Sequence, residues 1–377
     1  MKRPLLIVAA LLLAGAQAYA EDELARLNAQ ILRDPTNIEL NLRYARAAAE
    51  RGDNEKALVA YERVLEYDPN NSEARSALQR TSARIAPNTF QVFTEFGAGY
   101  ESNPDNFSMN RNPQGLLFGR VLLKDERTLW DTRWRTTALF TGNVYWDSSD
   151  LNYGYAAAAT GPVYSVTPNM TVHPAIGGGV AYFDHHFYYS EVFATAIFEG
   201  NYDIWNYTVR YRGGYRDYGD FFPATNGPFA DVTMRFSRGS VIFDDDIFVF
   251  SPWARWSGIS AVGNINNLIS PDDFRTGKYS ELGARVEYYK PIVDWVTASV
   301  NFAYLGREYA QSMDTNGLPF RRHDQVYAPG AALIFRNTFV NNPSTLRFDY
   351  RYERDDSNDP LGSYTNNVFT VTLFNRY

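Results

Sequence analysis

Charged side chains alternate with apolar ones along several segments of the C-terminal part of the chain. In residues 346–353 (LRFDYRYE), every apolar or aromatic side chain falls on one face of an extended strand and every charge on the other. Residues 281–288 (ELGARVEY) show the same period of two. The charged faces are predicted to line an interior path, and the residues assigned to that path are Arg210, Arg212, Arg285, Arg347, Arg351, Glu287 and Asp349.

Guanidinium groups outnumber carboxylates on these faces. A lumen richer in arginine than in carboxylate favours anions through its summed field. Alternatively, ladders of arginine and carboxylate simply fill and stiffen a barrel interior. The sequence leaves both interpretations open. The wider set assigned to this interior adds Arg133, Arg135, Arg216, Arg235 and Arg255, with Asp231, Glu281 and Glu353 opposing them.

Other candidate sites have simpler explanations. His185 and His186 are adjacent, so on a strand their side chains would point apart, and they fall at a predicted hairpin tip. Residues 177–179 (GGG) lack the Lys-Ser/Thr of a phosphate loop, and 244–246 (DDD) read as a solvated turn. The chain has no cysteine. We therefore expect no catalytic residue, no metal site and no cofactor, and the chain is not predicted to be an enzyme.

The elements that would position the charged faces are strands. Fourteen candidate strands follow residue 90, each meeting the roughly 9–11 residues that a tilted membrane strand needs. They are predicted near 91–101, 115–124, 129–145, 151–166, 169–183, 187–200, 204–217, 228–239, 246–261, 277–290, 294–308, 323–337, 344–354 and 363–377. The fold class is therefore predicted to be mainly β: a C-terminal transmembrane antiparallel barrel of about fourteen strands.

The lengths of the connections support a barrel independently. Turns after even-numbered strands are short, for example around 167–168 and 291–292, whereas several after odd-numbered strands are long and polar, such as 218–227 and 262–276. Short turns on one side and longer loops on the other are typical of outer-membrane barrels. The chain also contains 27 Tyr and 25 Phe, while its mean hydropathy is −0.38.

A short helical repeat precedes the barrel. The segment 31–37 (ILRDPTN) returns as 65–71 (LEYDPNN) at an offset of 34 residues, which is the tetratricopeptide period. Ala57 would allow two helices to approach, Tyr61 would fill the gap between them, and Pro69 would end the second helix. These three residues are predicted to form a partner-docking repeat, although a purely structural helical hairpin is the alternative.

The N-terminus has the pattern of a secretory signal peptide. A basic start (Lys2, Arg3) precedes an apolar run over 5–16 and the small-residue motif 18–20 (AYA). The run is shorter than the ~20 residues that a spanning helix requires. The predicted organisation is a signal peptide over 1–20, a periplasmic repeat segment and linker over 21–88, and an outer-membrane barrel over 89–377.

The predicted partners follow from this organisation. Outer-membrane lipids would surround the barrel, and a periplasmic client protein or lipoprotein, or a polysaccharide, would meet the repeat. The last strand ends on the aromatic residue Tyr377, similar to the C-terminal signal read by the outer-membrane insertion machinery. The net charge of −7 argues against nucleic acid as a partner.

The layout of signal, repeat and barrel resembles the surface lipoprotein assembly modifiers. The stretch 97–106 (GAGYESNPDN) resembles the "G-Y-D-S-N" sequence near the first barrel strand of that family, with Glu101 in place of the aspartate. The resemblance implies a fourteen-stranded barrel that moves client proteins to the cell surface. We therefore rank export or assembly of a protein or lipoprotein client first. Export of an anionic exopolysaccharide through an Arg-lined barrel is second, and a simple anion-preferring porin is third.

Overall fold

The chain divides into two compact units, one comprising residues 1–88 with 127–133 and the other comprising 89–126 with 134–377. The predicted signal peptide lies outside the described residues, as does Pro69. The computed structural model describes residues 23–68, 71–85, 88–106, 108, 112–147, 149–167, 169–218, 226–259, 278–310, 312–313, 319–336, 344–360 and 362–377.

The N-terminal unit is a set of short amphipathic helices. Residues 23–31 form α1, followed by α2 (Ile38–Glu50), α3 (Asn54–Tyr67) and α4 (Ser72–Ile85). The side chain of Asn37 caps α2 by accepting the backbone N–H of Leu40 at 3.0 Å. Small residues at the helix contacts let the helices pack closely, and the buried core consists of Leu24, Leu42, Ala45, Ala48, Ala57, Ala60, Tyr61, Val64, Ala74 and Ala77.

The second unit is a closed antiparallel barrel of fourteen strands, which confirms the predicted fold class. The first half contains β1 (Thr89–Glu101), β2 (Gln114–Leu129), β3 (Thr132–Tyr145), β4 (Tyr153–Thr167), β5 (Met170–Phe183), β6 (His186–Tyr202) and β7 (Trp205–Tyr218). The second half contains β8 (Gly227–Gly239), β9 (Ile247–Gly258), β10 (Lys278–Val293), β11 (Val296–Tyr309), β14 (His323–Arg336), β15 (Ser344–Ser357) and β16 (Tyr364–Arg376). Two further two-residue strands, β12 (Ser312–Met313) and β13 (Pro319–Phe320), pair only with each other.

Every barrel strand pairs with its sequence neighbour in the barrel, and pairing of β1 with β16 closes the sheet. Several strands are longer than predicted, because their connections are tight turns and strand pairing extends up to the turn residues. One example is the connection between β6 and β7, where residues 203–204 form the turn. The connection between β5 and β6 is equally tight, with Asp184 and His185 both at positive φ. His185 therefore lies at a hairpin tip, as the sequence predicts.

Side chains alternate between the two faces of the barrel wall. Large apolar residues such as Leu282, Val300 and Phe369 are exposed on the outer face, and the charged residues between them point into the lumen. We call the end of the barrel with the β6–β7 and β10–β11 connections the turn end, and the opposite end the loop end. None of the described helices is long and apolar enough to cross a membrane.

Candidate functional site

The strand register places all seven predicted path residues on the inner face. Arg347 lies beside Ile334 of β14 and Thr372 of β16, and Asp349 and Arg351 follow it at alternate positions of β15. Because side chains alternate with a period of two, the inward direction of one residue fixes the inward direction of every second residue along the strand. The register therefore brings the predicted arginines and carboxylates together inside one lumen.

Four of these arginines are exposed to water, whereas their carboxylate partners are less exposed or equally so. Arg210 bonds Asp231 at 2.9 Å, with side-chain exposures of 37% and 1% respectively. Arg285 lies 3.3 Å from Glu287, with exposures of 35% and 10%. Arg351 follows the same pattern with Glu353, whereas Arg347 and Asp349 are almost equally exposed. Since three of the four carboxylates are largely covered while the arginine side chains are accessible, these pairs present more cationic than anionic surface to the water.

Arg347 connects two walls of the lumen electrostatically. It donates to Asp349 at 2.9 Å through Nε, and it lies within electrostatic range of Glu287 and Tyr289 on β10. On its other side it is within electrostatic range of Glu95 on β1. Arg347 thus belongs to a mid-lumen group of charges contributed by three strands that do not neighbour one another.

Arg212 is not part of the water-exposed path. Its guanidinium is buried against Glu191 of β6, which also accepts from Arg216 at 2.9 Å and from the hydroxyl of Tyr155 at 2.6 Å. We call these four residues the Glu191 cluster. Arg212 and Arg216 also lie over the ring of Phe229 at 5.0 Å and 4.8 Å. Both guanidinium groups are therefore engaged by a carboxylate and by an aromatic ring within the wall of the barrel.

A second buried network was only partly visible in the sequence. Glu281 accepts from Trp253 at 2.7 Å, from Arg255 at 3.0 Å and from Arg307 at 2.9 Å. We call these four residues the Glu281 cluster. Arg307 also lies 3.8 Å from Asp324, which Arg322 binds at 2.7 Å. The alternation of β11 could have identified Arg307, but no pattern marks Arg322, which precedes β14.

The turn between β8 and β9 differs from the solvated loop that the sequence suggests. The side chain of Asp246 is buried and accepts the backbone N–H groups of Val241, Ile242 and Phe243 at 2.7, 2.8 and 2.8 Å. Burial tends to raise the pKa of Asp246, but these donors and the hydroxyl of Tyr288 hold it well below its usual range. Asp246 therefore organises this turn.

Ala57 and Tyr61 pack between the helices of the N-terminal unit, as the sequence predicts. Both are buried in the core of the helical unit, with 0% and 4% exposure. They cannot contact a partner directly, because neighbouring helices cover them. The surface of this unit offers other groups, such as the pair Arg46 and Glu73, whose Nε–Oε1 distance is 2.5 Å. The hydrogen bond from Arg46 lowers the pKa of Glu73.

No group of three or more metal-ligating side chains occurs among the residues that the structure describes. His173 is buried on β5, and His323 begins β14 at the loop end. The described lumen contains two buried charge clusters near the loop end and water-exposed arginines from mid-lumen to the turn end. One further buried arginine, Arg135, pairs with Glu126 and Glu199 near the turn end.

Comparison with known proteins gives separate matches to the helical unit and to the barrel. A tetratricopeptide-repeat family model matches residues 11–81. No curated protein matches the chain. The repeat match and the barrel do not single out the surface lipoprotein assembly modifiers.

Among solved structures, the chain is similar to the outer membrane protein opdK from Pseudomonas aeruginosa, with 8% identity and a TM-score of 0.37 over 77% of this chain and 99% of that one. It is also similar to the outer membrane channel DcaP of Acinetobacter baumannii, with 10% identity and a TM-score of 0.46 over 77% and 97% of the two chains. These likenesses are distant, so the class of this protein rests on its own structure: a closed fourteen-stranded barrel preceded by repeat helices.

Proposed function

We propose that this chain is an outer-membrane transport protein whose barrel passes anionic cargo. The observation that carries the proposal is the unequal exposure of the lumen charges. Arg210, Arg285 and Arg351 expose 35–47% of each side chain to water, and the carboxylates beside them are mostly covered. An anion entering this lumen would meet attractive groups first, and the low-dielectric wall would strengthen the field. No catalytic step is part of this proposal.

The surface of the barrel supports its placement in a membrane. The outer face exposes a continuous set of apolar side chains, and aromatic residues lie towards both ends, including Tyr202 and Trp295 at the turn end and Tyr182 and Trp256 at the loop end. We propose that the turn end faces the periplasm, together with the helical unit, and that the loop end faces outward. Outer-membrane lipids would then be direct partners. The insertion machinery would recognise β16 during biogenesis.

Conductance across a planar lipid bilayer tests the proposal. The wild-type chain should conduct with a preference for anions, and R285Q/R347Q should reduce that preference. One charge at 4 Å in water contributes about 1 kcal/mol, so each removed cation should lower the anion-to-cation permeability ratio by up to about fivefold. R354Q is the matched control, because Arg354 lies on β15 with Arg347 but faces outward and pairs with Asp356.

A cation-selective wild-type channel would contradict the proposal, as would equal effects of R285Q/R347Q and R354Q. A variant that lacks residues 21–84 tests whether the helical unit is needed for conduction. An anion-selective current that survives the deletion favours a simple porin. A closed barrel that opens only with the unit and its partner favours assisted export.

Export or assembly of a protein or lipoprotein client is the second candidate, and the tetratricopeptide match over residues 11–81 favours it. Repeats of this kind stack helices into surfaces that bind partners. Deletion of the gene should then remove one lipoprotein from the cell surface while leaving polysaccharide unchanged. Loss of an anionic exopolysaccharide with surface lipoproteins intact would instead support polymer export.

A further inference from the structure

A row of polar and aromatic side chains crosses the outer face of the barrel at the loop end. Strand pairing sets Trp256 beside Ser280, Ser280 beside Glu308, and Glu308 beside His323, on β9, β10, β11 and β14. These residues point outward, because the residues alternating with them, such as Glu281 and Asp324, are buried in the lumen. The row therefore lies on the outside of the barrel wall.

A cavity of about 700 Å³ opens along this row. Lys278 and Arg321 line it one step closer to the rim, and the buried rings of Tyr279 and Tyr309, 5.5 Å apart, support it from the lumen side. We call it the rim cavity. Among the described residues, no carboxylate lies within ion-pair distance of the Lys278 or Arg321 side chain. Glu308 is the one carboxylate in the described lining, so the fixed charge of that described lining is net positive.

The surface immediately below the rim cavity, towards the middle of the barrel, is recessed. It is apolar except for Gln325, which pairs with Gly306 and accepts the Tyr327 hydroxyl at 2.9 Å. Leu282 is paired with Ala254 on one side and with Gly306 on the other. A side chain at Gly306 would meet only the Tyr304 hydroxyl at 3.8 Å, so nothing fills the space above it. The rings of Tyr304 and Tyr327, 5.2 Å apart, border this recess. A cationic upper part and an apolar lower part together match an amphiphile.

We propose that the rim cavity binds the headgroup of a phosphorylated glycolipid in the outer leaflet, with an acyl chain lying along the recess at Leu282 and Gly306. Lys278 and Arg321 supply the charge-assisted donors that phosphate oxygens accept. The cavity volume suits a ligand the size of a saccharide headgroup, since pockets for such ligands measure about 300–1,000 Å³. Because the rim cavity is continuous with the apolar outer wall of the barrel, it suits a lipid better than a soluble anion. The proposal depends on the membrane placement proposed above and not on conduction through the lumen.

Native mass spectrometry of the full chain in detergent can measure binding directly. The probes are diphosphorylated lipid A, its dephosphorylated counterpart and inorganic phosphate. We expect tightest binding of the diphosphorylated lipid. K278Q/R321Q should weaken it by roughly 25-fold, at about fivefold for each cation. E308Q should strengthen it by removing repulsion. K290Q should leave it unchanged, because Lys290 lies on the same strand as Lys278 but at the turn end, where it pairs with Asp245.

Circular dichroism of each variant establishes that the barrel is folded before binding is compared. Equal affinity for the phosphorylated and dephosphorylated lipids would overturn the proposal. The proposal would also be overturned if K278Q/R321Q bound the lipid as tightly as K290Q does. Inorganic phosphate binding as tightly as the lipid would show a free-anion site in place of a lipid site. A non-conducting barrel that still binds the lipid would refute the transport function alone.

Discussion

The Glu281 cluster provides the sharpest test of how the barrel is stabilised. Glu281 is 1% exposed and accepts hydrogen bonds from Trp253, Arg255 and Arg307, and Arg307 is itself 2% exposed. E281Q preserves the shape of the side chain but removes its charge. Arg307 then keeps only the more distant Asp324, at 3.8 Å. Because breaking a buried ion pair leaves an uncompensated charge, E281Q should lower the free energy of unfolding by about 3–5 kcal/mol.

The measurement is an equilibrium urea titration of the chain folded into lipid vesicles, followed by far-UV circular dichroism. E199Q is the matched control, because Glu199 is 38% exposed and its partner, the buried Arg135, keeps a second carboxylate, Glu126, at 2.6 Å. E199Q therefore leaves no unpaired buried charge and should cost about 1 kcal/mol or less. If E281Q and E199Q differ by less than 1 kcal/mol, roughly the ceiling for an exposed pair, the reasoning about the buried charge is wrong.

A double-mutant cycle separates the pair from its surroundings. R307M removes the cation that E281Q would strand, and Asp324 keeps Arg322 at 2.7 Å. The cost of E281Q/R307M should therefore be smaller than the sum of the two single costs, with a coupling of about 1–3 kcal/mol. Additive costs would show that Glu281 and Arg307 stabilise the barrel independently of each other.

Three further predictions concern other parts of the chain. G97A should destabilise the barrel by about 1–3 kcal/mol, because the new Cβ would lie 2.6 Å from the Val371 oxygen, whereas G154A, with nothing within 4 Å, should be tolerated in the same titration. A57L should overpack the helical core and lower its melting temperature, measured at 222 nm, since Ala57 is fully buried. The pKa of Asp246 is lowered in the folded chain, so its contribution to the free energy of unfolding is present above the unfolded pKa of about 3.9 and is lost as pH falls towards the folded value. D246N should therefore flatten the acid limb of a stability–pH profile, and an unchanged limb would contradict this role.

The sequence was sufficient to predict the barrel and the direction of its charges. A period of two fixes which face each side chain takes, so Arg347, Asp349 and Arg351 could be placed inside the lumen without knowing any contact. The repeat helices were equally accessible, because a 34-residue offset is a local property of the chain. Strand ends were less accurate, since β2 and β10 continue into tight turns that no apolar pattern marks.

The sequence could not predict which charged residues pair across strands, because this pairing depends on how far each strand is shifted against its neighbour. Arg210 and Arg212 are two residues apart on the same face of β7, yet one is exposed and the other is buried. The register sets Arg212 opposite Asp231 of β8, while its guanidinium reaches back to Glu191 of β6. Local alternation cannot distinguish these two environments.

Under the proposed transport function, this difference divides the arginines between the two interpretations that the arginine-rich face left open. Arg212, Arg216, Arg255 and Arg307 are buried in clusters near the loop end and use their charge to hold neighbouring strands together. Arg210, Arg285, Arg347 and Arg351 lie deeper and keep part of each guanidinium in water. Substitution of the first set should change stability with little effect on selectivity, and substitution of the second should do the opposite. A single arginine variant that changes both equally would show that the lumen does not divide in this way.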